Sequence, residues 1–505
     1  MAAPSISDLT ATSASAAEPA FVAATVPRLG GVDPLGLRQI NFDLMDQVFP
    51  GLNNVARHVR PFVVVTWAWR RAGQLAQATG SKDIAVDDLR DFVDRIEVIY
   101  AWSQFLRDPN ADLPGRQVLS SLIKSERWSF GGHAWRERRK NRRDSTAFTA
   151  PITYGPALKT LGWISPHEQH SDVFIPSAAA EPALNAFEAQ IASRLKHPAF
   201  NQFGKVEVTA KEALAWSKGW ALERITRAEQ RVMAKMVFGA GAPLARQQGG
   251  ALMLAAAAHS ATTEPTNVRL TMAGAPSNFI PSNDQQTSFQ AWRRTQIRQL
   301  FRLGLEALLY WIIRRVQGGP RSSDALVHAF LKETGRPERK SAGHWLKSAK
   351  VGGLGPTMLM DRITAVLDNP SEAELAAAIA DSLAFCLAEA PEHGEIFERA
   401  DRLPLFKARR EAEAWANTST REFVRHVIES WILAQHVYWS VGRGLADARA
   451  RGKSILRLKV VLEEGGWRLA PGAGGGSRPV PTPDRLGTML NLASECGLAP
   501  KPTKE

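Results

Sequence analysis

Apolar residues recur at intervals of three or four over most of this chain. The longest run extends from Phe289 to Val316, where Ile297, Phe301 and Leu305 fall on one face. That spacing is the period of an amphipathic α-helix. The same period occurs over 84–106, 209–236 and 419–448. The periodicity therefore predicts a mainly α fold.

The period changes to two near the carboxyl end. Residues alternate from Ile455 to Leu462, and a glycine-containing turn then leads into WRLA, which predicts a small C-terminal β-hairpin. Two arrangements remain open, a winged-helix-like unit and a plain hairpin that caps a helical bundle. A last helix is predicted to open at Thr482 and Pro483 and to end at Gly497.

The length of 505 residues exceeds that of one ordinary domain and predicts two helical units. Residues 239–288 lose helical periodicity and fill with Gly, Ala, Pro and Ser, which is typical of a linker or mobile loop. The predicted division is a disordered tail at 1–30, an N-terminal helical domain at 31–238, the linker at 239–288, a C-terminal helical domain at 289–452, and the hairpin plus terminal helix at 453–497.

The cysteines and the apolar runs exclude several classes of protein. Cys386 and Cys496 are the only cysteines, so a disulfide framework and a cysteine-rich zinc site are excluded. The N-terminus lacks the pattern of a secretory signal, and no apolar run approaches the ~20 residues that span a bilayer. We expect a cytoplasmic protein with no membrane partner, and no motif predicts a cofactor or a metal.

A formal net charge of +13 favours a polyanionic partner such as DNA or RNA. The charge is concentrated in residues 124–143, which carry eight lysines and arginines against two glutamates. Arginine binds phosphate through two parallel hydrogen bonds, and exposed aromatic rings stack on bases. The predicted nucleic-acid-binding residues are Lys124, Arg127, Trp128, Trp135, Arg136, Arg138, Arg139, Lys140, Arg142 and Arg143. The alternative is an exposed basic helix whose tryptophans anchor in the core.

A second basic stripe is predicted on the long helix. Arg294, Arg298 and Arg302 recur every four residues and so share one face. They are further nucleic-acid-binding candidates. The alternative is that they bind an acidic face within the protein, such as the aspartates at 87–94, which are otherwise interpreted as a solvated helix face.

A third pattern would suit an enzyme. His426, Glu429 and His436 fall near one face of the helix that begins at Ser419, where they could bind a metal or act as an acid and base. The structural interpretation of the same residues is a set of buried, hydrogen-bonding histidines.

Four segments resemble parts of known proteins: FPGLNNVARHVRPFVVVTWAWRRA, FRLGLEALLYWIIRRV, IESWILAQHVYWSVGRGL and TPDRLGTMLNLASECGL. They are similar to elements of large, uncharacterised helical bacterial proteins that are often encoded near DNA-modification or phage-defence genes. Pro61 stands where the related proteins tend to have an aromatic residue. The resemblance implies a bacterial cytoplasmic role in a multiprotein defence or DNA-processing system, and it supplies no catalytic residue.

Three functional hypotheses follow. The preferred one is a non-catalytic, nucleic-acid-associated or assembly subunit of such a system. The alternatives are an enzyme, such as a nuclease or another hydrolase, and a scaffold that binds only protein partners.

Overall fold

The protein is described by a computed structural model over residues 33–78, 85–115, 119, 124–141, 154–274, 278–336, 338, 341–368, 371–394, 402–442 and 457–500. Helices predominate, and the strands form three small antiparallel pairs. The predicted mainly α fold with a C-terminal hairpin is confirmed. Among the described helices, none is both long enough and apolar enough to cross a membrane.

The helices and strands are numbered in chain order. They are α1 (Arg38–Met45), α2 (Val59–Ala78), α3 (Val86–Arg107), β1 (Arg127–Phe130), α4 (Gly132–Asn141), α5 (Tyr154–Thr160), β2 (Ile164–Pro166), β3 (Phe174–Pro176), α6 (Glu181–Ile191), α7 (Pro198–Asn201), β4 (Val206–Thr209), α8 (Ala210–Ser217), α9 (Arg227–Val237), α10 (Leu244–His259), α11 (Pro265–Met272), α12 (Gln286–Val316), α13 (Ser323–Glu333), α14 (Ala342–Lys347), α15 (Pro356–Asp368), α16 (Glu372–Ala388), α17 (Leu405–Ala414), α18 (Thr420–His426), β5 (Val460–Glu463), β6 (Gly466–Leu469) and α19 (Leu486–Glu495).

The chain divides into two compact units that differ from the predicted domains. Unit 1 comprises Met1–Leu44, Ala273–Ala275 and Trp292–Thr482, and unit 2 comprises Met45–Met272, Pro276–Ala291 and Pro483–Glu505. Each unit is therefore built from separate stretches of the chain. The predicted tail at 1–30 lies outside the described residues.

Unit 2 is built around α2, which packs against α3, α6 and α9. Most of α2 is buried, including the run Val63 to Val65. Pro61 lies in the first turn of α2, where the missing N–H would have had no partner within the helix. The C-terminal helix α19 belongs to this unit because Asn54 accepts a hydrogen bond from the Arg485 N–H at 2.8 Å.

The predicted linker at 239–288 is wrong. It contains α10 and α11, which pack against each other, and α10 buries Leu252, Met253 and Ala256. The apolar contrast between faces is weak in α10 because alanine and glycine occupy so many positions. Small side chains there allow close approach, and Gly249 lies against the carbonyl of Val48.

Unit 1 is built around α12, whose 31 residues are buried along the middle of the helix. Helices α13, α15 and α17 each pack against α16, which is rich in alanine and largely buried. Helix α18 opens at Ser419 with a capping box, in which Ser419 and Glu422 satisfy each other's backbone N–H groups. It then continues as a π-helix over Val427–Ala434.

The predicted hairpin is formed by β5 and β6, with Glu463 opposite Gly466 at the turn. Trp467 of β6 exchanges backbone hydrogen bonds with Arg321, and its indole N–H donates to Ser323 at the start of α13. The hairpin therefore rests on a helix of the bundle, which favours the interpretation of a hairpin that caps it.

The close approach at Gly249 gives a testable prediction. Replacement of a glycine within a helix by alanine normally stabilises a protein, but at this position it should destabilise it. An added Cβ would lie 2.3 Å from the Val48 carbonyl oxygen. We expect Gly249→Ala to lower the free energy of unfolding by about 1–3 kcal/mol, as overpacking does. Gly73→Ala in α2 is the control because no atom lies within 4 Å of its Cβ. It should raise stability by about 0.5–1 kcal/mol. Urea denaturation measures both, and stabilisation by Gly249→Ala would contradict the packing described.

Candidate nucleic-acid interface

The basic segment 124–143 begins as a strand and continues as a helix. β1 pairs antiparallel with β4, so that Arg127 lies opposite Thr209 and Phe130 lies opposite Val206. Gly131 and Gly132 follow with φ near +79° and +78°, a conformation that interrupts a helix and favours glycine. The interpretation of the whole segment as one basic helix is therefore wrong, because within its described residues 124–141 only those of α4 are helical.

Trp135 does not form a stacking platform for bases. It is 3% exposed and packs edge to face on Phe130, with ring centroids 5.1 Å apart. A buried ring anchors α4 to the strand below it and cannot contact a ligand. Trp128 is half-buried, and its predicted contact with bases remains a prediction.

Arg136 is used by the fold itself. Its guanidinium contacts Asp91 at 2.6 Å and Asp88 at 2.5 Å, both on α3. The hydrogen bond with Asp91 raises the pKa of Arg136, so the arginine stays charged. Asp91 and Asp94 are buried, which corrects the interpretation of the 87–94 aspartates as a solvated face. This pairing positions α4, and it compensates the charge of Arg136.

Among the side chains of the segment that the structure describes, the exposed cations are Lys124 and Arg127. Arg127 contacts Glu207 at 3.1 Å in a surface ion pair. Such pairs contribute only about 0–1 kcal/mol, so a phosphate can replace Glu207 at little cost. Arg138, Arg139 and Lys140 follow on α4, but their side chains lie outside the described part of the structure, as do Arg142 and Arg143 altogether.

The second predicted stripe lies in the interior of unit 1. Arg302 is fully buried, contacts Glu306 at 2.6 Å and donates to the Val480 carbonyl at 2.6 Å. Arg298 is 1% exposed and donates to the Arg402 carbonyl at 3.2 Å. A buried guanidinium cannot reach a phosphate, so the prediction of nucleic-acid binding is wrong for these two arginines.

Arg294 is half-buried and keeps its place as an untested candidate. The spacing of four residues did place Arg298 and Arg302 on one face, but that face is internal. Their partners are a glutamate on the same helix and backbone carbonyl groups, which periodicity alone does not reveal.

The predicted enzyme residues are not assembled into a site. His426 contacts Glu411 at 2.9 Å and stacks on Trp415, and the Trp431 indole donates to the same glutamate. The π-helix that follows His426 changes the number of residues per turn, so the α-helical register that aligned it with Glu429 and His436 does not hold.

His436 is fully occupied by the backbone. The Pro34 carbonyl accepts from its Nδ1 at 2.9 Å, and the Lys459 N–H donates to its Nε2 at 2.9 Å. This pattern requires a neutral ring with the proton on Nδ1. Burial lowers the pKa of His436, in agreement with that tautomer. No lone pair remains for a metal, and the described residues contain no group of three potential metal ligands.

Sequence analysis missed a titratable cluster in unit 2. His58 lies between two carboxylates, with Glu495 at 2.6 Å from Nδ1 and Asp112 at 3.2 Å from Nε2. Burial lowers the pKa of His58, but the hydrogen bonds and charges of Asp112 and Glu495 outweigh it and raise the pKa to about 9. An imidazole that holds its proton at neutral pH is a poor general base.

The cluster stabilises the start of α2. Glu495 also accepts the Val59 N–H at 2.7 Å, and the His58 N–H donates to the Tyr154 hydroxyl at 3.1 Å. A carboxylate at a helix N-terminus satisfies a free N–H and interacts favourably with the helix dipole. No sequence motif marks this arrangement, because Glu495 is 437 residues from His58.

Comparison of the chain with protein-family models, curated proteins and solved structures finds no match.

The cluster makes stability depend on pH. The pKa of His58 is about 9 in the folded chain against 6.5 for an ordinary histidine, so its contribution to stability is fully present below pH 6.5 and is lost as the pH rises through 9. A shift of this size corresponds to about 3 kcal/mol. We expect the parent to lose about that much more stability than His58→Gln between pH 6.5 and 9.5 in urea titrations.

His328→Gln is the control because His328 is exposed on α13. It should keep the pH dependence of the parent. If the free energy of unfolding depends on pH equally in the parent and in His58→Gln, His58 is not held in its charged form.

Proposed function

We propose that the protein is a cytoplasmic, non-catalytic, nucleic-acid-associated subunit of a bacterial defence or DNA-processing system, and that segment 124–143 contacts the phosphate backbone. The observation that carries the proposal is the local excess of charge. Eight cationic and two acidic side chains fall within this one segment of a chain whose net charge is +13. The resemblance of four segments to proteins encoded near such systems supports the biological setting.

Some cations of the segment stabilise the fold, whereas others are exposed and available to a ligand. Arg136 is paired with Asp88 and Asp91, and Trp135 is buried. Arg127 is exposed on β1, and Lys124 is exposed in the turn that precedes this strand. Because Trp135 and Arg136 hold β1 and α4 in place, the backbone that presents Lys124 and Arg127 to a ligand is ordered.

Binding of this kind is electrostatic. Each phosphate neutralised by a lysine or arginine releases condensed counterions, so the logarithm of the binding constant falls by ~0.9 per decade of salt for every contact. The proposal therefore predicts salt-steep binding without strong preference for sequence, since backbone contacts carry no base information.

The test replaces Lys124, Arg138, Arg139 and Lys140 by glutamate and leaves Trp135 and Arg136 intact. We expect a salt slope lower by about 3 to 4 for a duplex DNA of mixed sequence, because up to four phosphate contacts are lost. Fluorescence anisotropy over a salt series measures the slope, and the absorbance ratio of the purified parent reports nucleic acid that is carried through purification.

A matched control reverses four exposed lysines elsewhere, Lys218, Lys332, Lys347 and Lys350. It changes the net charge by the same amount and should leave the slope near that of the parent. If the parent binds neither DNA nor RNA at low salt, or if both variants behave alike, segment 124–143 is not a nucleic-acid interface.

A further inference from the structure

Helix α9 presents a row of three cations on its exposed side. Arg227, Arg231 and Lys235 lie four residues apart and are all exposed. The opposite side of the helix is buried through Glu229, Val232, Met233, Met236 and Val237. We call the three cations the α9 stripe.

The α9 stripe has no partner within the described residues. None of its members forms an ion pair or a side-chain hydrogen bond there, and the neighbouring acids are engaged elsewhere. Glu223 contacts Arg107 at 2.6 Å, and Glu229 contacts the buried Arg60 at 2.9 Å. Within the described part of the chain, the exposed face of α9 is therefore cationic without compensation.

This arrangement does not serve the stability of the helix. Like charges four residues apart repel each other, whereas opposite charges at that spacing attract. Helix α17 shows the stabilising pattern, since Arg409 contacts Glu413 at 2.8 Å and Lys407 contacts Glu411 at 3.8 Å. Helix α9 carries the repulsive pattern, and its stability comes from its buried face and from the Thr226–Glu229 capping box.

The dimensions of the α9 stripe match a phosphate backbone. Four residues of α-helix rise about 6 Å, so the three charges extend over about 12 Å. A DNA duplex presents one charge per ~1.7 Å of axis, or roughly three to four phosphates of each strand over that length. Neighbouring cations of the stripe, about 6 Å apart along the helix, lie within the Debye length of about 8 Å at physiological salt and therefore act together.

The composition of the face distinguishes this ligand from others. A helix that binds a membrane surface presents large apolar side chains beside its cations, and no residue of α9 is an exposed large hydrophobic. The core of a protein interface is enriched in aromatic residues and depleted of lysine. Here the cations are accompanied by Ala228, Gln230 and Ala234, which are half-buried.

We propose that the α9 stripe binds the phosphate backbone of a nucleic acid. The inference rests on the proposed function for the class of partner, but it stands on residues that segment 124–143 does not include. The proposed contact lies on α9 of unit 2, and the structure describes every side chain of that helix.

The experiment measures binding of the full-length protein to a duplex DNA of mixed sequence across a salt series. Replacement of Arg227, Arg231 and Lys235 by glutamate should lower the salt slope by about 3 and weaken binding about 10- to 100-fold. Replacement of the same residues by glutamine should lower the slope equally, since the contacts are lost without added repulsion. Arg227→Lys combined with Arg231→Lys keeps the charges and should retain the slope.

The control reverses three exposed lysines from other elements, Lys218, Lys332 and Lys347, which gives the same change of net charge. Circular dichroism and thermal melting establish that each variant is folded. If the glutamate variant does not fold, the glutamine variant carries the test.

The outcomes separate this inference from the proposed function. If the parent does not bind at low salt, both are overturned. If the segment 124–143 variant loses binding and the α9 variants match the Lys218, Lys332 and Lys347 control, the inference alone is overturned. If the α9 variants lose slope and that control does not, the stripe is a nucleic-acid contact, whatever the segment 124–143 variant shows.

Discussion

The ion pair between Arg60 and Glu229 fixes the geometry on which unit 2 depends. The two groups are 2.9 Å apart, and neither side chain is exposed. Burial raises the pKa of Glu229, against the opposing effect of Arg60. Loss of either partner would leave a buried charge uncompensated, which is far more costly than loss of a surface pair. The pair therefore holds α2 and α9 at one mutual position.

Several further contacts converge on the same pair and extend its effect. Arg60 also donates to the Arg224 carbonyl just before α9 and to Gln190 on α6 at 3.0 Å. Glu229 closes the capping box at the start of α9 by accepting the Thr226 N–H. One rotation of α9 about its axis satisfies all of these bonds, and that rotation turns Arg227, Arg231 and Lys235 towards solvent. A buried interaction thus determines which charges the surface displays.

The sequence predicts those parts of the structure that depend on neighbouring residues. The mainly helical content and the C-terminal hairpin are local patterns, and both are present in the described residues, although the helical run at 209–236 is interrupted between α8 and α9. The features that the sequence did not predict are of two kinds. Some depend on residues whose partners lie far away in the sequence, and others are helices whose buried and exposed faces differ little in hydrophobicity. Helix α10 was missed because alanine and glycine hide its buried side, and the His58 cluster was missed because Glu495 lies at the other end of the chain. The α9 stripe is local in sequence, but the spacing of its cations does not reveal that the nearby Glu223 and Glu229 are paired with other arginines.

Arginine burial also limits what net charge can reveal. Arg246 is buried and donates to the carbonyls of Pro50, Met236 and Val237, and burial lowers its pKa to about 10. Arg298 and Arg302 are buried in the same way, so part of the +13 lies where no ligand can reach it. The informative quantity is the uncompensated charge that is exposed. On α9 that charge stands beside no exposed large aromatic ring, and at β1 and α4 the ring of Trp135 is buried. A surface that offers cations without such rings, as α9 does, suits the phosphate backbone and not the bases, so the contact that we propose there depends on charge and spacing. Trp128 on β1 is half-buried, and its contact with bases stays a prediction.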